Sequence, residues 1–146
     1  MAEARISFRD QKRGGQSSNG LSPGEIDGFI TDSRNRRIAI FEAFRLFGLT
    51  KDVIDEHIDK IHSYDEESLD QVFIVAYCDV VNFDQLVCKY INYIVDRSHV
   101  GFQETISPLK QLSETTENMW VGIETRMRGD KEIIFYHFLL NMKIKN

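Results

Sequence analysis

The stretch FDQLVCKYINYIVDR, Phe83 to Arg97, constrains the fold more tightly than any other part of the sequence. Phe83, Leu86, Val87, Tyr90, Ile91, Ile94 and Val95 recur at i, i+3, i+4, i+7, i+8, i+11 and i+12, one unbroken face of an α-helix. Asn82 stands where a cap for the free N–H groups of the first turn belongs. The opposite face carries Asp84, Gln85, Lys89, Asn92 and Asp96, so this helix has a wet side and a dry side, and the dry side needs partners.

Similar patterns predict helices elsewhere. Ser22-Pro23-Gly24-Glu25 combines a cap, a proline at the first helical position and a capping-box glutamate, and Ile26, Phe29 and Ile30 follow on one face. RRIAIFEAFRLF, residues 36–47, predicts a second helix with Ile40, Phe41, Phe44 and Phe47 inward and Gly48 as its terminator. Thr50 or Asp52 starts a third, striped by Val53, Ile54, Ile58 and Ile61, with an acidic outer face of Asp52, Asp55, Glu56 and Asp59. LDQVFIVAYCDVV, residues 69–81, is apolar nearly all round and reads as a central helix, although a buried strand fits the same run. Ser107-Pro108 repeats the cap-plus-proline start, and Leu109, Leu112, Thr116, Met119, Ile123 and Met127 step by three or four.

The expectation is an all-α fold: a compact bundle of about six helices forming a single helical domain, 21–146, behind a flexible basic Gly/Ser-rich arm, 1–20. Within that arm Ile6 and Phe8 alternate with polar residues, as a short edge strand would. The alternative is α+β with a C-terminal β-hairpin. MWVGIETRM and EIIFYHFLL would then be strands, joined by the turn Arg128-Gly129-Asp130-Lys131.

Size and charge narrow the function classes. A chain of 146 residues, 42% hydrophobic, suits one domain with a real core. The net charge of −5 excludes a uniformly basic nucleic-acid binder, but Arg5, Arg9, Lys12 and Arg13 against Glu3 and Asp10 make residues 1–20 locally basic. No apolar run at the start reads as a signal peptide. The longest run, Val72 to Tyr77, is far short of the roughly 20 residues that cross a bilayer. Cys78 and Cys88 read as core residues, with no disulfide framework. A cytoplasmic or nuclear protein with no membrane role is expected.

Chemical motifs are sparse. Lys12-Arg13-Gly14-Gly15-Gln16 resembles the Gly-Gly-Gln tip of peptide-chain release factors, but the arginine-rich helix that should follow is replaced by SSNGLSPGEIDG. Asp55, Asp59 and His62 lie one helical turn apart and are the only metal-like grouping, which reads as a solvated acidic face. No catalytic residue, cofactor or metal is assigned. The reading is a non-enzymatic adaptor or regulatory domain, which binds a partner helix or its own copy as a homodimer through an apolar helical face. Phe41, Phe44, Phe47, Tyr90, Tyr93, Trp120 and Phe138 are its contact residues. The alternative is a nucleic-acid-associated protein gripping phosphates with Arg5, Arg9, Lys12 and Arg13. A further alternative is an enzyme using the Asp55, Asp59 and His62 face.

Overall fold

The structure is a computed structural model that describes residues 7–10, 28–65, 68–112 and 116–143. Among these residues, seven strands form one mixed sheet with three helical segments. In chain order they are β1 (Ser7–Asp10), β2 (Gly28–Thr31), β3 (Arg37–Leu46), α1 (Lys51–Asp59), α2 (Ile61–Tyr64), β4 (Gln71–Cys78), α3 (Phe83–Asp96), β5 (Thr105–Gln111), β6 (Met119–Arg128) and β7 (Lys131–Asn141). The strand order is β1-β2-β3-β4-β7-β6-β5. β1, β2 and β3 form an antiparallel meander, β4 lies parallel to both β3 and β7, and β7, β6 and β5 are antiparallel again.

The expected six-helix bundle is therefore wrong, and so is the helical character given to residues 21–146. Residues 36–47 are not a helix but β3, and residues 69–81 contain β4. Phe29 and Ile30 lie in β2 rather than on a helix, and the long helix drawn from Leu109 to Met127 is instead β5 and β6. Of the α+β alternative, the C-terminal hairpin is present, but it is one part of a seven-stranded mixed sheet. β6 and β7 pair from Met119↔Leu140 to Arg128↔Lys131. The two-residue loop opens on Gly129 at φ 64°, the positive φ that a type II′ hairpin turn takes at its first position.

Two of the helices are where the sequence put them. Asn82 Oδ1 accepts the Gln85 N–H at 3.0 Å and starts α3, which buries Phe83, Leu86, Val87, Tyr90 and Ile94. Val95, at the end of the stripe, stays 39% exposed. α1 buries Ile54 and Ile58. Of the two cysteines expected in the core, Cys78 is buried and Cys88 is exposed on α3.

Both long helices cover the same face of the sheet. His57 of α1 stacks on Phe44 of β3 with ring centroids 5.1 Å apart, and Tyr90 of α3 reaches His137 of β7. On this covered face lie Ile40, Phe44 and Leu46 of β3, Val72, Ile74, Ala76 and Cys78 of β4, and Ile133, Phe135 and Leu139 of β7. On the other face the register leaves the rows Gln71–Ile134–Thr125, Phe41–Phe73–Tyr136–Ile123, Ala43–Val75–Phe138–Val121 and Arg45–Tyr77–Leu140–Met119, with the Met127–Glu132 pair beyond them at the hairpin end. No described helix packs on that side. No described helix is long and apolar enough to cross a membrane.

Candidate functional site at the basic edge of the sheet

The β2–β3 turn is built by a single carboxylate. Asp32 accepts the backbone N–H of Arg34 at 2.8 Å and of Arg36 at 3.0 Å, and the Arg36 Nε at 2.7 Å. The Arg36 backbone hydrogen bond, above all, holds the Asp32 carboxyl below its ordinary range. Asn35 at φ 62° closes the turn, a conformation Asn tolerates better than most residues. This presents Arg34, Arg36 and Arg37 to solvent at one end of β3, and Arg45 is exposed near the other.

Aromatic rings sit beside two of these arginines. The Arg37 guanidinium lies 3.9 Å above the Phe29 ring, and that of Arg45 lies 5.8 Å from the Phe47 ring. Phe47 is 69% exposed. β1 adds Arg9, whose backbone stands opposite Phe29 in the register. A guanidinium beside an aromatic face can bind a phosphate with one group and stack a base on the other.

On the helix side of β3 an acid–base cluster adjoins this edge. Glu42 is fully buried, with Oε2 3.2 Å from His57 Nδ1 and Oε1 3.2 Å from Lys60 Nζ. The His57 and Lys60 side chains keep 22% and 14% of their surface, so the cluster reaches solvent along α1. Since Phe29 pairs with Ile40, it shares this side of the sheet with Glu42. Arg37, Phe29, Glu42, His57 and Lys60 thus occupy one side of two adjacent strands and the helix that follows them.

A second polar group lies beneath α3. Glu124 is fully buried and accepts from Arg126 Nε at 2.6 Å, His99 Nε2 at 3.0 Å and His137 Nε2 at 2.5 Å. Arg97 Nη1 lies 2.7 Å from His99 Nδ1. Arginine only donates, so the His99 proton sits on Nε2, facing Glu124. Burial, above all, holds the imidazole neutral, with its pKa down to about 4. Burial also pushes the Tyr90 phenol pKa far up, so its O–H stays protonated and donates to His137 Nδ1 at 2.7 Å. Burial alone would raise the Glu124 carboxyl, but the hydrogen bond from His137, followed by that from His99, outweighs it and keeps Glu124 ionised. Arg126 also donates to the carbonyls of Ile94 and Arg97, each at 2.9 Å, and so satisfies the free C-terminal end of α3. These contacts tie α3 to the sheet, which makes this group structural.

The residues nominated from sequence scatter. Phe41 and Phe138 lie on the open face, Phe47 is exposed at the end of β3, and Tyr93 donates to Asp55 Oδ1 at 2.5 Å. Phe44, Tyr90 and Trp120 are buried in the core. No single apolar helical face holds these seven residues. Arg5, Lys12 and Arg13 lie outside the described residues, as does the side chain of Arg9, and the Gly14-Gly15-Gln16 motif lies outside them too. Asp55 and Asp59 both pair with Arg97, at 3.1 and 2.7 Å, while His62 is exposed. Among the described residues no group of three or more His, Cys, Asp or Glu side chains is placed to hold a metal.

Sequence reasoning missed Arg34, Arg37, Arg45, Glu42, His57 and Lys60. The available signal was a run of arginines beside alternating apolar positions, with one carboxylate set inside that run. A further hollow of about 500 Å³ near the start of α3 is lined by Asp84, Glu117 and Lys143 among others. Its two carboxylates against one ammonium suit a phosphate poorly. No family model, curated protein or solved structure matches the chain.

Proposed function

We propose that this protein associates with nucleic acid through the basic edge of its sheet, formed by β1, β2 and β3. The observation that carries the reading is the polarity of charge. Residues 1–46 hold eight Lys and Arg against six Asp and Glu, a net of +2, while residues 47–146 hold ten against seventeen, a net of −7. The described arginines of the first part are exposed on one turn and one strand. Such a molecule presents its positive part to a polyanion. Arg34, Arg37 and Arg45 contact phosphates, and Phe47 stacks on an unpaired base.

Arg37→Glu with Arg45→Glu is expected to weaken binding of a labelled single-stranded oligonucleotide at least 10-fold. Phe47→Ala is expected to weaken single-strand binding more than duplex binding. Equal affinity of the wild-type and the double arginine variant would sink the reading.

The Glu42 cluster favours a second reading, in which the bound strand is also cut. A carboxylate with an imidazole and an ammonium each 3.2 Å from one of its oxygens can take a proton from water and neutralise a phosphoryl oxygen. In that hydrolysis the water oxygen bonds to phosphorus, the ester P–O bond breaks, and the leaving oxygen takes up a proton. Incubation of an end-labelled strand with magnesium, the usual counter-ion of phosphates, tests it. Cleavage that Glu42→Gln abolishes while binding persists supports the reading, and no cleavage by the wild-type protein rejects it.

A further inference from the structure

We infer that the open face of the sheet is the interface of a homodimer, in which two copies pack sheet against sheet. The inference does not rest on the nucleic-acid reading, with which it shares one residue, Arg45, at the end of this face. Its centre is aromatic: Phe73 stacks on Tyr136 at 4.9 Å and on Phe138 at 6.1 Å between ring centroids. Around these rings lie Phe41, Val75 and Leu140 on neighbouring strands. Each is only partly buried, because its sides are covered by sheet neighbours while its tip has no described residue packed over it as a helix layer. A sheet face this apolar is normally packed against a second layer.

Three observations favour a second copy as that layer. The first is composition. The 11–27 connection, QKRGGQSSNGLSPGEID, offers only Leu21 and Ile26 as apolar side chains, too few to cover four strands. The second is charge. On β3, β4, β6 and β7 the open face carries two charged residues, Arg45 and Glu132, and they lie at opposite ends of the patch. The chain has a net charge of −5, and two copies can meet here without bringing like charges to the centre. The third is size. Four strands about 4.8 Å apart and roughly 8 residues long at about 3.3 Å per residue project roughly 500 Å². A corrugated surface exposes more than its projection, which brings the patch towards the roughly 800 Å² per partner of a stable interface. Face-to-face packing at about −30° between two twisted sheets then follows the usual sandwich geometry.

Sedimentation equilibrium of the full chain tests the inference. The expected mass is twice the 17.0 kDa of one chain, with a concentration-dependent shift to the single-chain mass on dilution. Tyr136→Lys with Phe138→Lys is expected to raise the dissociation constant at least 100-fold. If that variant fails to fold, a photo-reactive benzoyl-phenylalanine at position 136 is read instead. It is expected to cross-link copy to copy, whereas the same group at Val100, on the exposed helix side, gives no dimer. A monomer at about 100 μM, or equal cross-linking from both positions, overturns the inference. So would a loss of oligonucleotide binding in the lysine variant of a monomeric protein, since this face would then hold nucleic acid.

Discussion

The two faces of the sheet reverse the usual distribution of side chains. The face covered by helices contains two fully buried carboxylates, Glu42 and Glu124, together with the buried His99, His137 and Arg126. The face without helices contains Phe41, Phe73, Val75, Tyr136, Phe138 and Leu140. Charge in a dry layer is tolerated only when paired and hydrogen-bonded. Glu124 meets that condition with three side-chain donors, and Arg126 with one carboxylate and two carbonyls. The open face needs no such pairing, only a surface to cover it. Stability therefore depends sharply on the covered face, and the proposed association depends on the open one.

The contrast is tested most severely at Glu124. Glu124→Leu leaves Arg126 buried without its carboxylate, and unfolding in urea should show a loss of about 3–5 kcal/mol. A loss below about 1 kcal/mol would mean that the polar layer beneath α3 does not hold the fold together.

A smaller effect is expected from acid. His99 is neutral in the fold, with its pKa lowered from 6.5 to about 4 by burial above all. Between those values the unfolded chain takes up a proton that the folded chain refuses, so stability falls as pH drops through that window. The loss should reach about 2–3 kcal/mol near pH 4, since each unit is worth about 1.4 kcal/mol. Glu124 adds to the loss in the same direction at still lower pH, because its folded carboxyl is also depressed. Denaturation curves from pH 7 to pH 4 should decline steeply for the wild-type protein and less for His99→Gln. Parallel declines in the two proteins would remove His99 from the account.

The smallest effect is expected on the open face. Tyr136→Lys, measured where the chain is dilute and unassociated, should change stability by no more than about 1 kcal/mol. An effect as large as that of Glu124→Leu would show that the faces do not differ in this way.

The same reversal explains how the sequence misled. α3 was legible because Phe83, Leu86, Val87, Tyr90 and Ile94 are all apolar and all buried. β6 was legible only in the alternative hairpin reading, because its covered side runs Trp120, Gly122, Glu124 and Arg126, while Met119, Val121, Ile123 and Met127 face the open side. Selecting apolar residues there picks the wrong face, and the spacing of Met119, Ile123 and Met127 imitates a helical stripe. β3 suffers in the same way, since Glu42 interrupts the alternation of Ile40, Phe44 and Leu46. β4 is apolar on both faces, as a central parallel strand is, so it has no period to read.

Gly122 also marks β6 as a strand. A Cβ there would stand 2.2 Å from Trp120 Cη2, so the indole packs across the strand where glycine leaves room. The candidate site was legible only as scattered arginines. The register that sets Phe29 beside Ile40, and Arg37 above Phe29, exists only in the folded sheet.

The most direct test of the central claim is a salt titration of oligonucleotide binding by fluorescence anisotropy, at 50 to 200 mM monovalent salt. If the basic edge grips three or four phosphates of a single strand, at a slope of about 0.7 per phosphate, affinity should fall roughly 20- to 50-fold over this range. The slope should then decrease by about 1 to 2 in Arg37→Glu, Arg45→Glu. No binding at 50 mM salt, or a slope that the two substitutions leave unchanged, would contradict the assignment of this edge to nucleic acid.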